Sequence, residues 1–162
     1  VLFRRQRQMC IRDSQVGELI DHIDGNTICE ADHLFATRLW QNNSKVHFDI
    51  NAREDKKRLI YGGHIISLVR ALSFNGLENA QVIVGINGGT HANPVFAEDT
   101  IYCWSEVLDK IDLNVRNIAA LRLRSVGTKE KNHNMRLKSD DGKYLPTIVL
   151  DFDYWVLVPK EL

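Results

Sequence analysis

Six histidines are the side chains of this sequence best suited to moving protons near neutral pH. None of them stands in an H-x-x-E-H or H-E-x-x-H spacing, so no metal site is expected. His47 lies in a short apolar stretch, Val46-His47-Phe48. A histidine there is either a general acid or base or a satisfied loop residue, and residue type alone favours the second. Gly62 and Gly63 open an apolar run. A helix beginning there presents unpaired N–H groups and a partial positive charge, and glycine admits a ligand carbonyl at close range. The same glycines would also suit tight packing of helix on sheet. Residues 87–93, NGGTHAN, form a polar, glycine-rich connection that holds His91 and Asn93; it is either a grip for a ligand or a plain turn. Arg122 and Arg124 share one strand face and either meet phosphates or simply face solvent. His22, His33 and His133 have no partner pattern. No G-x-G-x-x-G or Walker string supports a nucleotide role.

Periodicity says which elements carry these groups. Residues 17–23 read as a strand ending at the turn Asp24-Gly25-Asn26, after which Thr27 and Glu30 make a T-x-x-E capping box. The amphipathic segment that follows runs to about Trp40 with Ala31, Leu34, Phe35 and Leu39 near one face, and Gln41-Asn42-Asn43-Ser44 stops it. A second helix opens at Gly62-Gly63, carries Ile65, Ile66, Leu68, Val69 and Leu72 at helical spacing, and ends at Asn75-Gly76. Its single charge, Arg70, predicts substantial burial. Strands follow at 81–86, 100–108, 119–124 and 147–158, with a charged, mobile hairpin connection expected at 128–144. Helix, buried helix, then strands is an α+β order: an antiparallel sheet wrapped around a long central helix.

Composition removes other classes. In 162 residues, 21 basic side chains balance 21 acidic ones, which gives no footprint for nucleic acid. No apolar run approaches the ~20 residues of a membrane span. Three cysteines without a CxxC pair argue against a disulfide framework and for a reducing compartment, with Cys29 and Cys103 as small buried hydrophobes. Residues 1–14 hold Arg4, Arg5, Arg7 and Arg12 against Asp13 and resemble translated adaptor sequence; they are set aside as non-native, with part of the protein expected to be missing before them. Residues 15–162 are expected to form one domain.

Three ordered strings then carry a resemblance. TICEADHLFATRLWQNNSKVHFD at 27–49 is similar to the acidic helix and N-P-L-H-x-D-like loop of MaoC-like (R)-specific enoyl-CoA hydratases. RLIYGGHIISL at 58–68 resembles that family's R-I-A-H-G-M-L-x-x-S-L. NPVFAEDT at 93–100 resembles its P-V-x-x-G-D-T. The runs YGGHIISLVRALSFNGL and NGGTHANPVFAEDT look most like the mesaconyl-CoA hydratase (β-methylmalyl-CoA dehydratase) branch, whose members are double hot-dogs. The resemblance implies a hot-dog fold, the C-terminal half of such a pair, and metal-free hydration of a short branched or dicarboxylic 2-enoyl-CoA. It also implies a cytoplasmic enzyme, no cofactor beyond the CoA of the substrate, and pairing with a second hot-dog domain or a second copy.

The reaction needs a base for the attacking water and a donor for the thioester oxygen. The family's Asp-x4-His pair falls on Asn42 and His47, and an asparagine cannot be a base. The resemblance therefore implies His47 as acid/base, Asn42 as a positioning group and Gly62 as the oxyanion amide, with Asp49 a weaker carboxylate candidate. Tyr61, Gly63, His64, His91 and Asn93 would line the substrate site. The Asn42 departure keeps open a non-catalytic structural half beside a catalytic one. A hot-dog acyl-CoA thioesterase is the other alternative.

Overall fold

The computed structural model describes residues 10–12, 14–80, 82–131 and 134–161. Residues 1–9 and 13, most of the segment set aside above, lie outside the described residues, as does His133. Residues 10–14 lie against the domain where described: Cys10 is buried, the Ile11 N–H donates to the Pro159 carbonyl at 3.0 Å, and Ser14 Oγ donates to the Cys10 carbonyl at 3.0 Å.

The chain runs β1 (Leu19–Thr27), α1 (Glu30–Leu39), two 3-10 turns (Lys45–His47 and Ile50–Ala52), α2 (Gly62–Leu77), β2 (Val82–Thr90), β3 (Thr100–Val115), β4 (Ile118–Thr128) and β5 (Ile148–Pro159). One five-stranded sheet has the order β1-β3-β4-β5-β2, with every neighbouring pair antiparallel. This is the α+β arrangement expected from the residues, a helix laid on an antiparallel sheet.

Alternation along the strands builds the core. Ile101, Cys103 and Val107 of β3, Ala119, Leu121 and Leu123 of β4, and Leu150, Phe152, Tyr154 and Val156 of β5 point to one face, against Ile65, Val69 and Leu77 of α2. Each fully buried Val, Leu, Ile or Phe among them contributes roughly 1.5–3 kcal/mol relative to exposure. The burial of α2 is one-sided: Ile65, Val69, Ser73 and Leu77 face the sheet, while Ser67, Ala71 and Phe74 face outward. A single curled sheet covers only one side of its helix.

A buried polar chain crosses this core. Arg70 Nη1 donates to Tyr154 Oη at 2.8 Å, and Tyr154 Oη, Ser125 Oγ, Ser105 Oγ and His22 Nε2 follow at 2.8, 2.8 and 2.9 Å. His22 Nδ1 ends the chain 2.7 Å from the Asn75 carbonyl. A carbonyl only accepts and a guanidinium only donates, so both ends fix the direction: each hydroxyl donates toward His22, whose proton sits on Nδ1. The chain anchors the end of α2, where Asn75 leaves helical geometry and Gly76 takes φ 111°, a conformation glycine adopts freely.

Several expectations are corrected. Asp24-Gly25-Asn26 is not a turn: β1 runs through it to Thr27 as an irregularity opposite β3, with Ile23 at φ 63°. The capping box does not form; Cys29 is the N-cap of α1, without a side-chain cap bond. It is also exposed, so only Cys103 of the expected pair is a buried hydrophobe. The inner face of α1 is His33, Ala36 and Thr37, while Phe35 and Leu39 point to solvent. The stretch 87–93 is mostly strand, since β2 continues to Thr90 and pairs with β5. The charged connection before β5 is a packed strap: Met135, Leu137, Tyr144 and Leu145 cover Trp104, Val126 and Ile148 on the sheet face away from α2.

Candidate active site

The residues singled out in the sequence converge on the first turn of α2. Tyr61 is its N-cap, in extended conformation at φ −62° and ψ 129°, and its carbonyl accepts from the N–H groups of His64 at 3.0 Å and Ile65 at 3.3 Å. The chain arrives there tied on two sides: Leu59 N–H donates to the Val46 carbonyl at 3.0 Å, and Ile60 N–H to the Val95 carbonyl at 2.9 Å. Helix geometry leaves the Gly62 and Gly63 amides without an intrahelical acceptor.

Both glycines lie under side chains at close approach. A Cβ on Gly62 would lie 2.5 Å from His91 Nε2, and one on Gly63 would lie 2.6 Å from the Tyr61 ring. An imidazole thus covers the first glycine and a phenol the second. Burial pushes His91 and His64 below the usual imidazole range, so both are neutral at physiological pH, Asp32 partly opposing this at His64.

His47 ends the 3-10 turn Lys45–His47. Its Nδ1 lies 2.8 Å from the Leu59 carbonyl, which can only accept. In the neutral ring Nδ1 therefore carries the proton, and Nε2 keeps a basic lone pair. The ring stands edge-on to Tyr61, 5.7 Å between centroids. Arg58 ties this loop to α1: its Nε donates to the Phe48 carbonyl at 3.1 Å and its Nη1 pairs with Glu30 at 2.5 Å.

His33 belongs to the same cluster, although its sequence context gave it no partner. It is fully buried, and its Nε2 accepts the Tyr61 N–H at 2.9 Å. Its ring centroid is 6.4 Å from that of His47 and 6.1 Å from that of His64. Burial, then the neighbouring His64 and His47, hold its pKa down at about 4. The only signal that could have found it was the i, i+3, i+4 set His33, Ala36, Thr37. The brighter apolar stripe Leu34, Phe35, Leu39 masked that set.

Other candidates are occupied locally. Asn42 Oδ1 accepts the Ser44 N–H at 2.9 Å, an Asx turn, and Asp49 Oδ1 accepts the Asn51 N–H at 2.9 Å. Asn93 donates both amide hydrogens to carbonyls of the strap side, Leu145 at 3.0 Å and Ile148 at 2.7 Å. The structure thus brings His47, Tyr61, Gly62, Gly63, His64 and His91 together with His33, while Asn93 joins strap to β5. Arg122 is held by Asp153 through two contacts of 2.9 and 2.6 Å, and Arg124 by Glu106 and Asp151 at 3.2 Å each. Their strand face is an ion-pair ladder. The resulting chemistry is that of an imidazole beside a helix N-terminus: proton transfer next to an amide able to hold developing negative charge.

Relatives fit this chemistry. The chain is 59% identical over 148 residues to mesaconyl-CoA hydratase of Cereibacter sphaeroides, covering 91% of this chain and 43% of that protein. It is 53% identical over 153 residues to beta-methylmalyl-CoA dehydratase of Chloroflexus aurantiacus, covering 91% of this chain and 44% of that protein. A crystal structure of a MaoC domain dehydratase from Chloroflexus aurantiacus superposes with a TM-score of 0.91 at 49% identity, over 96% of this chain and 46% of the other. A Mycobacterium tuberculosis protein with a double hot-dog fold gives a TM-score of 0.64 at 16% identity, over 91% of this chain and 43% of that one, which establishes the fold alone. No family model matches the chain. The chain spans less than half the length of the curated relatives it matches.

Proposed function

We propose, from the premise of a MaoC-like hot-dog domain related to hydratases and dehydratases of branched acyl-CoA thioesters, that the intact protein adds water reversibly across the double bond of a mesaconyl-CoA-type 2-enoyl-CoA. His47 Nε2 takes a proton from water as the water oxygen bonds to the β-carbon. The π electrons move toward the thioester oxygen, where the Gly62 amide holds the charge. The proton is then delivered to the α-carbon as the carbonyl re-forms. Nothing in this sequence of steps calls for a metal or for a cofactor beyond the CoA of the substrate. The observation that carries the reading is the His47 tautomer: a proton fixed on Nδ1 by the Leu59 carbonyl and a lone pair on Nε2, beside the cap of α2. Neutral His64 and His91 and the Tyr61 ring would border the acyl group.

A second reading is favoured by Asn42. With no carboxylate at that position, and its side-chain oxygen engaged by Ser44, the base would lie in another half of the protein and this domain would shape the pocket. In both readings the free edge of β2 and the open face of α2 would be met by a second hot-dog domain. Among the described residues no helix is long and apolar enough to cross a membrane. Three cysteines without a CxxC pair fit a reducing compartment, and on that ground we assign the enzyme to the cytoplasm.

The test is product analysis with the intact protein and mesaconyl-CoA. Formation of a hydroxyacyl-CoA without release of free thiol is expected. Free CoA appearing without hydration would replace the hydratase reading with the thioesterase one.

A further inference from the structure

Helix α2 starts without a local cap: the Tyr61 side chain makes no capping bond. The Leu59 and Ile60 amides tie the approach to Val46 and Val95, and the next amide, that of the N-cap itself, is held from α1, where His33 Nε2 receives the Tyr61 N–H at 2.9 Å across 28 residues of sequence. That bond has a visible cost. A ring accepting on Nε2 carries its proton on Nδ1, and His33 Nδ1 is buried without a partner among the described residues. The geometry points to His33 as a positioning residue: by accepting the Tyr61 N–H it holds the first turn of α2, and with it the Gly62 amide, in place for the thioester oxygen, and it does so only as the neutral imidazole. What the amide receives rests on the hydratase reading; what holds the amide rests on the hydrogen bond alone.

A protonated His33 has no lone pair to offer, so the bond to Tyr61 would become a clash of two donors. The groups facing the ring come from each element around it. Glu30 of α1 favours protonation, while Arg58 of the segment before α2, His64 of α2 and His47 of the first 3-10 turn oppose it. With burial added, the opposing set prevails, and His33 stays neutral until about pH 4.

Glutamine and asparagine separate the two ring nitrogens. The side-chain end of Gln reaches the Nε2 position and that of Asn only the Nδ1 position. In the intact protein, His33→Asn is expected to lower kcat for hydration about 100-fold with KM changed less than about threefold, as a misplaced catalytic group does. His33→Gln is expected to return kcat to within about threefold of wild type, as an acceptor in the same place should. Equal kcat in the two variants would overturn the assignment. Amide hydrogen exchange is the second arm and needs no activity. Protection at Tyr61, His64 and Ile65, relative to the rest of α2, should be lost in His33→Asn, kept in His33→Gln, and lost in wild type as pH falls through about 4. Unchanged protection in wild type across that range would contradict the proposal even if His33→Asn failed to fold. A wild-type protein that hydrates nothing would remove the hydratase reading while leaving the exchange experiment decisive.

Discussion

At the scale of single residues, the domain is organised by histidines whose protons are assigned by their neighbours. His47 and His22 each face a carbonyl through Nδ1, whereas His33 accepts an N–H on Nε2. The last case has a consequence for stability. The unfolded chain binds a proton at His33 from about pH 6.5 downward, the folded chain only from about 4. Between those values the unfolded state holds more protons, so stability falls as pH drops, by up to on the order of 3 kcal/mol, and is fully present above the window. Denaturant titrations at pH 7 and pH 4.5 measure this: the loss on acidification should be smaller in His33→Gln than in wild type, and an equal loss would remove His33 from the account. His47 and the two glycines were legible because the MaoC-like strings ran through them. His33 was not, because the apolar stripe Leu34, Phe35, Leu39 outweighs the His33, Ala36, Thr37 set, and residue type does not say that this second face meets a backbone N–H.

At the scale of elements, α2 was the most legible part. Gly62-Gly63 and Asn75-Gly76 bracket an apolar period that is read without ambiguity, and the structure starts the helix at Gly62 and breaks its geometry at Asn75 and Gly76, one residue before its end at Leu77. The misread elements share one physical cause. Gly25 and Gly88-Gly89 look like turns but lie within strands, and Met135, Leu137 and Leu145 look like scattered apolar residues in a charged loop but close over Trp104. In each, contacts far away in sequence decide, and local propensity carries no trace of them. The seat of α2 on the sheet is testable. A Cβ on Gly127 of β4 would stand 2.9 Å from Val69 Cγ2 of α2 and 3.2 Å from Val149 Cγ2. Gly127→Ala should therefore destabilise the domain by about 1–3 kcal/mol, the cost of overpacking a dense core. Urea denaturation that finds the variant as stable as wild type would mean that α2 rides higher on the sheet than described.

At the scale of the whole molecule, the sheet ends on an open edge. Val82, Val84 and Ile86 of β2 are 55%, 54% and 64% exposed, and Phe74 on the outer side of α2 is 56% exposed. The outer side of α2 also carries a groove of about 420 Å³ lined by Ile66, Ser67, Arg70, Phe74 and Ile83. Unpaired strand edges of this kind recruit other strands. Sedimentation of this chain should show self-association, and Val84→Lys with Ile86→Lys should reduce it while leaving the melting temperature within a few degrees. Association that ignores those substitutions would assign the contact to another surface.

Hydration in this protein is expected to depend most on His47. Hydration of mesaconyl-CoA by the intact protein, followed through loss of the enoyl chromophore, should fall by at least about 100-fold in His47→Ala, the usual contribution of a positioned acid–base group. A His47→Ala protein that hydrates at the wild-type rate would contradict it and move the base to another part of the protein.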